Sequence, residues 1–229
     1  KKQLPKTSIS TAFNYQRRED FNRELIQFNY SWKFYDVKQT QVFTVGLPAL
    51  GGFQYVNINQ SEEFKNRLQQ QNDLFLINAY SSQFIWKDIK LIYQYSNLKT
   101  KKGKFTFSYG AFFDLAGNTA NLITRNQEVN KDGFQTVGSV RYAQFARVDN
   151  DIRLNQELKG ERSLNYRLQL GLGVPYGNNG PNLPFDYSFF GGGANDNRGF
   201  RARALGPGVY KTYLDSTRTA TEIGDIRFG

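Results

Sequence analysis

The sequence predicts an all-β fold of antiparallel strands. Three observations carry that expectation. Apolar and polar residues alternate with a period of two along most of the chain. The links between these stretches are unequal, short ones following long ones. No run of eighteen apolar residues is present, and only one segment carries a helix start signal. Two architectures fit this pattern equally well. One is a membrane barrel with short turns at one end and long loops at the other. The other is a soluble all-β domain.

The elements follow in order. "SISTAFNYQ" is a modest strand, carried by Ile9, Phe13 and Tyr15. "RELIQFNYSWKF" is the strongest: Ile26, Phe28, Tyr30, Trp32 and Phe34 share one face, and Gln27, Asn29, Ser31 and Lys33 the other. "TQVFTVGLP" is less regular but rich in β-formers. "SEEFKNRLQQQ" reads as the one helix. Ser61 caps it, Glu62 and Glu63 suit its first turn, and Phe64 and Leu68 share a face. "DIKLIYQYS" places Ile89, Leu91, Tyr93 and Tyr95 together, and "KFTFSYGAF" places Phe105, Phe107 and Tyr109 together. "FQTVGSVRYAQFARV" is β-rich without strict alternation. "DIRLNQEL" adds Ile152, Leu154 and Leu158. "NYRLQLGLGV" sets Tyr166, Leu168, Leu170, Leu172 and Val174 against Asn165, Arg167, Gln169, Gly171 and Gly173. Short links fall at "DVKQT", "LKTKKG" and "LKGER", and long ones at 59–75, 117–133 and 176–221.

Composition narrows the chemistry. With no histidine and no cysteine among 229 residues, serine–histidine and cysteine–histidine catalysis are excluded within this chain. Disulfides and cysteine metal sites are excluded too. The formal net charge of +10 points to an anionic neighbour, nucleic acid or lipid headgroups. Fourteen tyrosines suit aromatic girdles at membrane interfaces. "DND" at 149–151 lacks the glycine and distal glutamate of a calcium loop and reads as a strand bulge or turn. "GLG" at 171–173 lies inside a strand without the spacing of a phosphate cradle. The lysines at 99–104 read as solvating a turn. Glu157 and Glu161, or Asp114, are the candidates for a carboxylate pair, with no pocket in the sequence to join them.

One segment is unlike the rest. "VPYGNNGPNLPFDYSFFGGGANDNRGFRARALGPG" concentrates turn chemistry around one Arg-Gly-Phe. It resembles the lid-loop segment of the BamA/TamA outer-membrane assembly superfamily, and more closely the TamL-type lipoproteins of Bacteroidota. The matching pieces are Pro175 to Asn178, Leu183 to Phe185, Phe189-Phe190, Gly191-Gly192, Arg198-Gly199-Phe200, and Leu205 followed by Gly206-Pro207-Gly208. Asn197 departs from the Val or Ile common at that position. "TKKGKFTFSYGAFFDLAGN", the hairpin around "VRYAQFARVDNDIRLNQELKGERSLNYRLQLGLGVPYG" and "SWKFYDVKQTQVFTVGLP" are similar to other family strands, so the resemblance covers roughly three quarters of the chain.

The resemblance implies an antiparallel transmembrane β-barrel of which residues 1–229 form a central portion, about seven or eight strands of sixteen. It places a lid loop at about 176–221, outside the cell, and periplasmic POTRA domains and the remaining strands beyond this chain. Arg198 is then expected to pair with carboxylates on the inner wall, chiefly on strands after the loop, with Phe200 beside it. Gly191, Gly192, Gly206, Pro207 and Gly208 supply the turns. The implied function is assembly or translocation of proteins at the outer membrane of a Gram-negative, Bacteroidota-type bacterium. It needs no covalent chemistry, no metal and no cofactor. Outer-membrane lipids, client outer-membrane proteins and other assembly-module subunits are the implied partners, and nucleic acid is not. Relatives suggest two alternatives: a pore dedicated to one secreted partner, or the barrel of a patatin-like protein. From another class comes a soluble basic all-β module for glycans or nucleic acid. In the barrel reading Phe28, Tyr30, Trp32, Leu168 and Leu170 face lipid, and Asn29, Ser31, Arg167 and Gln169 face the polar lumen.

Overall fold

The computed structural model describes residues 4–46, 52–71, 74–100, 103–131, 133–179, 182–192 and 227–228. Its main body is one antiparallel sheet. The strands are β1 (Lys6–Arg17), β2 (Phe21–Tyr35), β3 (Gln41–Gly46), β4 (Gly52–Gln60), β5 (Gln83–Ser96), β6 (Phe105–Ala116), β9 (Phe145–Glu157), β10 (Ser163–Pro175) and β11 (Arg227–Phe228). A separate two-residue ladder, β7 (Thr136–Val137) with β8 (Val140–Arg141), lies in the link between β6 and β9. Sequential neighbours pair along the sheet, as an up-and-down wall requires.

β3 and β4 occupy one position in the wall. Both run antiparallel to β2 and to β5. Val45 pairs with Trp32 and Gly52 with Asn29, so seven steps along one strand oppose three along the other. Four extra residues are therefore accommodated between the two halves. Counted this way, the wall has seven strands before β11 begins the next, within the expected seven or eight. The sequence predicts a strand at 40–48 and a long link at 59–75, but not β4. Its alternation is genuine, but Asn57 and Asn59 dilute the apolar signal.

The period-two prediction holds strand after strand. The outer face carries Ile26, Phe28, Tyr30, Trp32 and Phe34 of β2, and the register extends that face across the whole wall. Phe13 pairs with Ile26, Phe28 with Phe53, Trp32 with Val45, Leu91 with Phe113, and Ile152 with Leu168. Leu168 is 46% exposed and Leu170 39%, as expected of residues on an outward apolar surface. Rings gather at two heights. Phe28, Phe53, Phe84 and Trp86 form a chain of ring contacts on the long-loop side. Phe34–Phe43, Tyr93–Tyr109 and Tyr95–Phe107 lie toward the short turns. From Trp86 to Tyr95 is nine residues of β5, one of them taken up by a register shift at 87–89; at a rise of about 3.3 Å and a tilt of about 40°, the roughly eight remaining steps span ~20 Å, most of the height of a membrane apolar band.

β5 changes parity partway. Its register with β6 shifts between Lys87 and Ile89. This bulge explains why Phe84 and Trp86 share the outer face with odd-numbered Leu91 and Tyr93. It also turns both Lys87 and Asp88 into buried positions. Lys87 Nζ donates to Asn29 Oδ1 (2.7 Å), and the Asp88 carboxylate accepts the backbone N–H groups of Asn118 and Thr119 at 2.5 and 3.0 Å.

Loop lengths alternate as predicted, with one exception. The links 36–40, 97–104 and 158–162 lie at one end of the wall. The longer links 61–82, 117–144 and 176–226 lie at the other, joined there by the tight turn at 18–20, which the sequence reading did not foresee. The predicted helix forms as α1 (Glu62–Gln71), with Ser61 Oγ accepting from the Phe64 N–H at 3.3 Å. Phe64 packs against Phe21 and Tyr80, and Leu68 is buried. Two further helices were not predicted: α2 (Leu74–Ala79) and α3 (Asn118–Thr124), each too short for a periodic signal. No helix among the described residues is long and apolar enough to cross a membrane, which has no bearing on crossing by strands.

Candidate functional site

The inner face of the wall has two zones. Near the short turns it is charged. Arg153 and Arg167 both grip Asp151, with contacts of 2.7 to 3.2 Å. Gln169 Nε2 lies 3.3 Å from both oxygens of Asp149, and Arg147 Nη2 donates to Asp149 at 3.2 Å. Arg147, Asp149, Asp151 and Gln169, with Lys90, Ile92, Phe112 and Asp114, line a recess of about 340 Å³. Residues 149–151 are thus neither bulge nor turn, which corrects the sequence reading. They sit in unbroken register with β10, Asp149 opposite Gly171 and Asp151 opposite Gln169. Alternation turns both carboxylates inward, where Arg147 and Arg153 of the same strand and Arg167 and Gln169 across on β10 satisfy them. Asp114, one of the carboxylates without a pocket in the sequence reading, faces the same recess. Glu157 and Glu161 lie instead at the short-turn end.

Near the long loops the inner face is apolar and covered. Ile85, Ala116, Ala143, Phe145 and Leu183 form a buried cluster. An evenly polar lumen was expected. The apolar zone arises because a chain segment lies on it, so its inward side chains are not wetted.

That segment is 182–192, within the predicted lid loop. It is held to the wall at several places along its length. Leu183 packs on Gly173 of β10, where a Cβ would overlap the leucine side chain. Phe189, 8% exposed, packs on Gly171, where a Cβ would lie 2.5 Å from the ring's Cζ. The Arg147 guanidinium stacks on that ring, 4.5 Å from its centroid. Asp186 reaches farthest. It accepts from Arg23 Nη2 of β2 and from Gln54 Nε2 of β4, each at 2.7 Å. From β10 to β4 the segment therefore crosses the inner face of β9, β6 and β5.

Between these anchors a 3₁₀ turn, Phe185–Tyr187, starts from Pro184. The Tyr187 ring sits 4.6 Å from that of Phe145. Tyr187 keeps some accessible surface, yet protein encloses its hydroxyl. That desolvation, aided by the charges of Asp114 and Asp186, raises its pKa well above the ordinary tyrosine value, so it stays protonated.

The root of the loop is held by polar contacts. Asn178 Nδ2 donates to the carbonyls of Gln135 and Tyr142, its Oδ1 accepts from the Gln135 N–H, and its own N–H donates to Gln144 Oε1, all at 2.8–2.9 Å. Gly177 has φ 55°, and a Cβ there would press on Gln144. Arg141 donates to the carbonyls of Asn178 and Asn179 and stacks on Phe134 at 3.6 Å. Tyr142 Oη joins Gln135, Asn121 and Thr124 in one network. The 117–144 link is thereby the seat of the loop's first turn.

Of the predicted site residues of the loop, Gly191 and Gly192 are described. Gly192 has φ 83°, the conformation that a turn glycine supplies. Arg198, Gly199, Phe200, Gly206, Pro207 and Gly208 lie outside the described residues. The sequence reading missed Gly171, Gly173, Asp186, Arg23, Gln54 and Arg147. The two glycines had a signal: the polar half of the β10 alternation lapses into glycine, leaving bare backbone on the inner face. The Asp186 pairing spans more than 160 residues of sequence and left none. Among the described residues, no group of three His, Cys, Asp or Glu side chains is placed to hold a metal ion.

A family model described as the Omp85 superfamily domain matches residues 5–224. No curated protein matches the chain.

Proposed function

The chain belongs to the Omp85 superfamily, and from that premise we propose that it is wall and lid loop of a TamL-type assembly factor. Superfamily members are outer-membrane β-barrels of Gram-negative bacteria that insert or secrete proteins and carry no enzymatic centre. The antiparallel sheet, apolar outside and charged within, is a portion of such a barrel.

In this reading residues 1–229 lie in the middle of a sixteen-stranded barrel whose remaining strands and POTRA domains are elsewhere in the protein. The segment 176–221 is the lid loop. Arg198 and Phe200 are its lock, seated against inner-wall carboxylates. Clients are outer-membrane proteins of a Bacteroidota-type cell, and the work is done by strand pairing at a seam rather than by bond chemistry.

The return of 182–192 onto the inner wall supports this reading most. A loop that only capped the barrel from outside would not place Asp186 on Arg23 and Gln54. The test is reconstitution of the full-length protein in vesicles with an unfolded outer-membrane β-barrel as client. Arg198→Ala and Asp186→Ala are each expected to slow client insertion while the barrel itself still forms. Unchanged insertion by both would refute the lid-loop role. A protein that stays soluble without detergent would refute the membrane reading altogether.

A further inference from the structure

The short-turn rim carries a charge that the opposite rim lacks. Its three links, 36–40, 97–104 and 158–162, hold seven Lys or Arg residues against Asp36 and Glu161. The four links at the long-loop end, 18–20, 61–82, 117–144 and 176–226, hold eleven against twelve. Much of the chain's positive excess is thus at one edge of the wall.

The described members of the basic rim, Lys38, Lys99, Lys104, Lys159 and Arg162, are all exposed. They come from three successive turns. Lys99 Nζ donates to Gln39 Oε1 at 2.7 Å, which ties one turn to the next. Of the acidic groups near them, Asp36 is engaged within its own turn by Thr40 and the Gln41 N–H, and Glu157 ends β9. The outer-face belt of Phe34, Phe43, Tyr93, Tyr95, Phe107 and Tyr109 lies just inside this rim. Rings of this kind settle at the boundary between acyl chains and headgroups. Cations one turn beyond them then stand at headgroup depth.

We propose that this rim binds the phosphate groups of anionic phospholipids in the leaflet it meets. The inference rests on the transmembrane-barrel reading above. Two features favour lipid over an acidic protein. The charge is spread along the rim in three separate turns rather than gathered on one face. Links of five to eight residues are also short for building a seat for a folded partner.

The test uses the full-length protein in phosphatidylcholine vesicles with trace spin-labelled phosphatidylglycerol or phosphatidylcholine, read by electron paramagnetic resonance. One lysine contact is worth ~1 kcal/mol, so the boundary shell is expected to favour phosphatidylglycerol by about fivefold at low salt. Raising NaCl from about 50 mM to about 500 mM should bring that preference close to unity. The variant Lys38→Gln/Lys99→Gln/Lys104→Gln/Lys159→Gln/Arg162→Gln should lose it at low salt. Lys65→Gln/Arg67→Gln, at the other end, should keep it. Heat-modifiable migration of each protein reports the barrel independently. If that is absent in wild type, the barrel reading falls. If it is present and wild type shows no preference, the rim proposal alone falls. It also falls if the five-site variant retains the preference, even if that variant loses binding to an acidic protein.

Discussion

Replacing Gly171 by valine isolates what holds the segment 182–192 against the wall. Gly171 sits in regular β10 register, so a β-branched residue suits its backbone and gains up to ~1 kcal/mol of strand preference. The conflict is with Phe189 alone, whose ring fills the space a Cβ needs. To restore van der Waals separation the ring must retreat by roughly 1 Å or more. A ring that is 8% exposed cannot do so without leaving its site. Leaving forfeits roughly 1.5–3 kcal/mol of burial and ~1 kcal/mol of stacking on Arg147. Undocking is therefore expected to cost the seated loop about 2.5–4 kcal/mol, a shift of roughly 70- to 1000-fold toward the released form. The assay is limited trypsin digestion of the full-length protein in membranes, read at Arg198, Arg201 and Arg203. Gly171→Val should be cut far faster than wild type, Gly171→Ala by an intermediate amount, and Leu170→Val, on the outer face, no faster. Adding Phe189→Ala to Gly171→Val makes room without restoring the anchor, so the double variant should match Phe189→Ala alone. Refutation would be equal cleavage of Gly171→Val and wild type, or a double variant cut far faster than Phe189→Ala alone.

Arg198→Ala should leave an inner-wall carboxylate unpaired at roughly 3–5 kcal/mol if both groups are buried, and Arg198→Lys should not fully restore client insertion, because an ammonium lacks the planar fork; equal proteolysis of wild type and Arg198→Ala between Phe189 and Thr221 would count against it. Arginine at Leu168 or Leu170 should destabilise the inserted barrel by roughly 2–4 kcal/mol at mid-membrane, against little for Gln169→Arg, measured by urea unfolding from vesicles. At the 36–40 turn the Gln41 N–H, with help from the Thr40 hydroxyl, lowers the Asp36 pKa below its ordinary value of 3.8. The turn's extra protection is then complete above that value and disappears as pH falls through the lowered one. Amide exchange at Gln41 should show that loss in wild type and not in Asp36→Asn.

Much of this protein was legible in the amino-acid order because strand alternation is a local property. Ile26 to Phe34 and Tyr166 to Val174 declare an outer face without reference to any neighbour, since successive side chains must point to opposite sides. The helix at 62–71 was equally readable, as its cap and first turn lie within four residues of each other. Where the sequence failed, the cause was an interaction between distant segments or an interruption of the period. β4 was lost because four inserted residues break its strand. Asp149 to Asp151 looked like a turn because three polar residues in a row suggest one. Only pairing with β6 and β10 shows that two of them lie in regular strand and face inward beside arginines of the inner wall. Gly171 and Gly173 read as a lapse in a strand until Phe189 and Leu183 were seen to lie on them. The order of residues set the strands, their faces and the turn-rich segment after β10. Tertiary structure decided that this segment returns inside the wall, because its anchors on Arg23, Gln54 and the β10 glycines come together only once seven strands have paired in register.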